Sequence, residues 1–146
     1  MIVVTGTGRS GTSMWMQILA EAGFPVVGES FPGNWEKLIG SANPKGFFES
    51  TLISGINFTT NPDPISGIYL DAEASKSYVV KIFLSGLRRT HFRYLHRVIV
   101  TVRKWRDFRA SVARLNRLQK ESGGPSATQP TGNPLQEEPA IKWWCD

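Results

Sequence analysis

The chain has one cysteine in 146 residues, Cys145, so an intrachain disulfide is excluded and the fold must rest on its core alone. Histidine is almost as scarce, with only His91 and His96, and no H-E-x-x-H or paired-cysteine pattern occurs; no metal site is expected. No stretch approaches the ~20 apolar residues of a membrane span. A signal peptide is not expected, because Met1 to Thr5 is too short and Arg9 interrupts the apolar run. Together with the lone cysteine, these absences lead us to expect a cytoplasmic protein with no membrane partner. Acidic residues are the minority, 12 against 17 lysines and arginines, and the net charge of +5 suits a polyanionic ligand, nucleic acid or an anionic glycan alike. Apolar residues at 40% and charged residues at 20% are those of a globular protein, and this length predicts a single domain over 1–146. No internal repeat is found.

What is present is concentrated at the start. The β-branched run Ile2 to Val4 leads into Gly6, Gly8 and Gly11, and Met14, Trp15, Ile18, Leu19 and Ala22 follow at helical spacing. A buried strand, a tight glycine turn and a helix N-terminus in succession gather backbone N–H groups and a positive helix end around one point, which suits a phosphate. Glycines used only for turning would give the same spacing. A Walker A loop would place lysine where this chain has Thr12, so a triphosphate kinase is disfavoured. The cation sits instead inside the loop, at Arg9, and two hydroxyls, Thr12 and Ser13, open the helix.

Gly8-Arg9-Ser10-Gly11-Thr12-Ser13 resembles the 5′-phosphosulfate loop of the sulfotransferases that use 3′-phosphoadenosine 5′-phosphosulfate (PAPS). A second segment adds to the resemblance. Arg97 to Val102 reads as a buried strand and runs into Arg103, with Ser111 eight residues further on inside the next helix. In that family an arginine and a serine so placed grip the 3′-phosphate, and a guanidinium fork is apt for it. Arg106, Arg109, Arg114 and Arg117 are read as a solvated basic face. Phe108, Val112 and Leu115 make an apolar stripe expected to pack on the sheet.

The resemblance extends to Lys81, which matches a catalytic lysine near a strand end, whereas Phe83 stands where many cytosolic members carry a histidine base. Glu49, in Asn43-Pro-Lys-Gly-Phe-Phe-Glu49, resembles the glutamate base of carbohydrate-modifying members, and Phe47 and Phe48 could raise its pKa. An exposed or helix-start carboxylate is the plainer alternative. His91 and His96 fall in a basic helical stretch, Leu87 to Arg97. The resemblance implies in-line sulfuryl transfer from PAPS to a hydroxyl or amine of a small molecule or carbohydrate, releasing 3′-phosphoadenosine 5′-phosphate, without a metal. Gly8 to Ser13, Arg103 and Ser111 would hold the cofactor, and Arg9, Lys81 and Glu49 would serve catalysis. The alternatives are a PAPS-binding module without turnover, or a nucleotide or nucleic-acid phosphate binder using Arg88, Arg89, Arg93, Arg97 and Arg103; nucleic acid is the less expected, since no recognised motif for it occurs.

The element order predicts an α/β fold, a parallel β-sheet flanked by helices, with strands near 1–5, 25–28, 78–83 and 97–102 and helices near 12–22 and 106–119, and the resemblance implies that it is of the P-loop-like sulfotransferase type. Residues 57–67 read as a surface loop and 121–139 as a mobile one. The basic C-terminal motif of many cytosolic members has no counterpart, so the domain is read as compact, truncated, or completed by association, a homo-oligomer included. Ile141 to Asp146 looks like the opening of another helix, with Trp143 and Trp144 returning to the core.

Overall fold

A computed structural model of the protein describes residues 1–121. The opening apolar run forms strand β1 (Ile2–Gly6), and all five of its residues are buried, as a central parallel strand requires. Helix α1 (Thr12–Glu21) follows, then strand β2 (Val26–Val27) and helix α2 (Trp35–Ile39). An irregular stretch with 3₁₀ turns at Gly40–Ala42 and Thr51–Ser54 leads to strand β3 (Val79–Lys81). Helix α3 (Leu84–Leu87), a 3₁₀ turn at Phe92–Tyr94, strand β4 (Arg97–Thr101) and helix α4 (Trp105–Glu121) complete the described chain. The segments 122–139 and Ile141 to Asp146, for which a loop and a helix are expected, lie outside the described residues.

The fold is α/β, with four strands in one all-parallel sheet in the order β2-β3-β1-β4, flanked by helices. Period-two alternation along β1 feeds two cores. Val3 joins Val80, Ile82, Leu52, Ile56 and Tyr94 on one face, while Ile2 and Val4 join Val79 and Met16 of α1 on the other. Because β3 and β4 both run parallel to β1, their carboxyl ends share one edge. The glycine loop after β1, Lys81 at the end of β3 and Arg103 just past β4 therefore meet there, where open α/β sheets bind ligands.

Two expectations fail, each for a local reason. No helix runs from Leu87 to Arg97. The Thr90 hydroxyl accepts from Ile56 N at 3.2 Å and donates to Gly86 O at 3.0 Å, and His91 N donates to Ile56 O at 2.9 Å, so the chain is tied sideways to residue 56 instead of coiling onward. Nor does the stripe on α4 pack on the sheet. Phe108 is buried and stacks on Trp105 at 5.3 Å, but α4 leans on α2, and Val98, Val100 and Val102 are left 41%, 47% and 57% exposed along the edge of the sheet. Among the described residues no helix is long and apolar enough to cross a membrane.

The sheet edge is closed by a tight crossing. A Cβ on Gly6, whose φ is +157°, would lie 2.2 Å from Thr101 Oγ1 and 2.7 Å from the Thr101 carbonyl oxygen. Backbone cannot yield as a side-chain tip can. Gly6→Ala is expected to lower stability by about 2 kcal/mol or more, read as the urea midpoint. An unchanged midpoint would show that the two strand ends do not approach this closely.

Candidate functional site

The loop between β1 and α1 is held by hydroxyls. Ser10 Oγ donates to Thr7 O at 2.7 Å and pairs with Thr101 Oγ1 at 2.6 Å, and Thr101 Oγ1 donates to Thr5 O at 3.0 Å. Arg9 adopts a positive φ of 67° at the turn. Gly11 caps α1 in a left-handed conformation and offers no side-chain acceptor, so the first-turn N–H groups and the positive helix end have no internal cap. Thr12 is buried behind them, a Cβ on Gly8 would meet nothing within 4 Å, and the buried Thr7 Oγ1 has no hydrogen-bond partner.

One side of the loop is built on Lys81. Its ammonium is 2% exposed and donates to Glu49 Oε1 at 2.5 Å, to Ser13 Oγ at 3.3 Å and to the Phe47 carbonyl oxygen. Burial lowers its pKa from the ordinary lysine value, the Glu49 carboxylate opposes that fall, and the Arg9 charge adds to it. Glu49 is placed by backbone. It exchanges two hydrogen bonds with Glu29, of 2.8 and 3.0 Å, and Gly28 allows this approach because a Cβ there would lie 2.9 Å from Glu49 O. From α1, Gln17 Nε2 donates to Asn43 Oδ1 at 2.8 Å and to Gly46 O at 3.0 Å. Phe47 is buried edge-on to Phe31 and Trp35, and Phe48 takes a positive φ of 57°, a strained conformation for an aromatic residue.

The other side is built on arginine. Arg9 Nε donates to Ser111 Oγ at 3.0 Å, and Arg103 Nη1 donates to the Arg9 carbonyl oxygen at 3.0 Å. The pKa of Arg9 is lowered, first by burial and then by the charges of Arg103 and Arg114. Among the described residues, no carboxylate pairs with Arg9, Arg103 or Arg114. One face of the loop thus holds a neutralised ion pair, and the other an uncompensated positive cluster.

Arg9, Arg103 and Ser111 are brought together, as are Lys81 and Glu49. Arg9 is directed to Ser111 rather than placed in the Lys81 contacts. The hydroxyls of Ser10 and Ser13 are engaged by protein, which leaves backbone N–H groups as the donors the loop can offer. His96 contacts the Met1 amine at the amino end of the sheet, away from the loop, and His91 accepts from Arg93 N at 3.4 Å as a turn cap. Two surface depressions of about 250 and 360 Å³, around Asn57 and Phe58, share no residue with this site. Thr101, Gln17 and Asn43 are supports that the sequence reading missed; a lone hydroxyl ending the β-branched run of β4 was the available signal. Arg114, read as part of a solvated basic face, is exposed on α4.

Comparison with family models, with curated proteins and with solved structures finds no match.

Removing the carboxylate from the buried ion pair strands an ammonium. Glu49→Gln is expected to cost about 3 kcal/mol near neutral pH by urea denaturation. Lys81 has a folded pKa below its unfolded value, so the unfolded chain binds more protons between the two, and its contribution to stability rises with pH across that window. The deficit of Glu49→Gln should therefore shrink as the pH approaches the ordinary lysine value. A deficit that does not change with pH would show that Lys81 is not the group left unpaired.

Proposed function

We propose that this protein binds PAPS and moves its sulfuryl group to a hydroxyl or amine of a small-molecule or carbohydrate acceptor, as a P-loop-like sulfotransferase. The observation that supports this most is the meeting of two motifs far apart in sequence. Arg103 and Ser111 both contact Arg9, across separations of 94 and 102 residues, beside an uncapped helix start. A nucleotide with two phosphate groups fits such a place: N–H groups of the loop suit one, and the uncompensated arginines suit the other.

PAPS supplies a sulfuryl group activated by its anhydride link to phosphate. The loop from Gly8 to Ser13 would hold the 5′-side phosphate, and Arg103, Arg9 and Ser111 the 3′-phosphate. Lys81 would donate to the oxygen on which negative charge builds, in a site where burial strengthens that interaction. Glu49 would take the proton from the acceptor, filling the role left open by Phe83. Both acts require Lys81 and Glu49 to part from each other.

The same ion pair favours a second reading, a PAPS-binding module without turnover, because each candidate catalytic group neutralises the other. Calorimetric titration with adenosine 3′,5′-bisphosphate, AMP and ATP separates the main possibilities. The bisphosphate is expected to bind at least about tenfold tighter than the other two, and Arg103→Ala to remove that advantage. Equal or absent binding for all three would sink the PAPS reading. Selective binding without transfer of radiolabelled sulfate to a panel of hydroxyl and amine acceptors would establish the second reading instead.

A further inference from the structure

The positive cluster beside the loop has a member that no motif accounts for. Arg114 follows Ser111 by three residues on α4, so the two are neighbours on one helix face. Long side chains on a helix lean back over the turn that precedes them, and for Arg114 that turn carries Ser111. Ser111 is in turn bonded to Arg9 at 3.0 Å, and Arg9 carries Arg103 on its carbonyl oxygen. Arg114 is exposed and, among the described residues, has no carboxylate partner. Its charge reaches Arg9 strongly enough to lower the Arg9 pKa.

We propose that Arg114 is a specificity-determining residue of this site, a third guanidinium that selects ligands bearing a dianionic phosphate monoester at the Arg9–Ser111 contact. The proposal rests on the nucleotide-binding reading above and adds a residue to it. The physical ground is charge balance. Two guanidinium groups and a hydroxyl already suffice to orient one phosphate by hydrogen bonds. Three cations with no carboxylate partner among the described residues repel one another, and a phosphate monoester near neutral pH, with nearly two negative charges, offsets more of that repulsion than a monoanion does. A nucleotide lacking the 3′-phosphate gains nothing from Arg114, so the residue acts on selectivity and not on general affinity.

The test compares adenosine 3′,5′-bisphosphate with AMP by calorimetry on the full chain, at fixed salt, for wild type and three variants. Arg114→Ala is expected to weaken the bisphosphate about tenfold and to change AMP by less than about twofold. Arg114→Lys, which keeps the charge without the fork, should recover part of the loss. Arg109→Ala serves as the control: it removes the same charge about 160° away around the helix from Ser111, and both ligands should stay within about twofold of wild type. Circular dichroism checks that each variant keeps its helix content. A bisphosphate loss no larger for Arg114→Ala than for Arg109→Ala overturns the role of Arg114 and leaves the PAPS reading standing. Failure of the wild-type protein to prefer the bisphosphate overturns both.

Discussion

A charged amine sealed from water has to be satisfied from within, and the Lys81 ammonium is satisfied by three separate segments. Ser13 comes from the start of α1, Phe47 offers a carbonyl oxygen, and Glu49 brings the opposing charge. An unpaired ammonium at this depth would cost several kcal/mol, more than a large part of a small domain's whole stability. The segment from Asn43 to Glu49 is therefore not free to wander. Its other restraints, the exchange with Glu29, the Gln17 bracket and the Phe47 ring packing, all hold it in the place that Lys81 requires. Even the strained backbone of Phe48 becomes tolerable, at about 1–3 kcal/mol, when relaxing it would unpair a buried ion.

The arginine side of the loop obeys the opposite logic. There the protein collects like charges and supplies no carboxylate among the described residues. Arg9 is half withdrawn from solvent, and its repulsion from Arg103 and Arg114 is offset only by neutral contacts, a serine hydroxyl and a backbone carbonyl. Such an arrangement is unfavourable to the empty fold and favourable to an anion. The two sides of the loop thus differ in charge balance: the pair around Lys81 is compensated from within the protein, and the cluster around Arg9 has no carboxylate partner among the described residues.

Much of this was legible in the chain. Glycine spacing after a β-branched run gave the loop and α1, because local backbone demands alone decide that geometry. Arg103, Ser111, Lys81 and Glu49 were singled out by the family resemblance, and the structure brings Arg103 and Ser111 to Arg9 and Lys81 to Glu49. The direction of Arg9 was not readable, since a side chain in a turn can reach either of two flanking elements and only the docking of α4 decides. The contacts of the Ser10 hydroxyl with Thr101 and of the Ser13 hydroxyl with Phe47 and Lys81 were not legible, since they join segments far apart in sequence. The expected helix over Leu87 to Arg97 fails because Thr90 and His91 find partners at residue 56, a contact of long range that no local pattern carries. The stripe on α4 was real, but an apolar stripe does not name its partner, and α2 took the place assigned to the sheet.

That misassigned partner bears on how the site would respond to a ligand. Because α4 does not lie along the sheet, its hold on the rest of the described chain includes α2, the buried Phe108 and the hydrogen bond between Ser111 and Arg9. Arg103, Ser111 and Arg114 thus sit at the start and along one face of an element that the main cores do not anchor. Repulsion within the cluster opposes the docking of α4 on the loop, and an anion held between them would offset it. A ligand that binds only the docked arrangement stabilises it by mass action, by about 2.7 kcal/mol at a hundredfold excess over its dissociation constant. That is comparable to what the ion pair at Lys81 is worth when broken, so ligand binding on one side of the loop would weigh as much in the stability of this edge as the built-in charge pair does on the other.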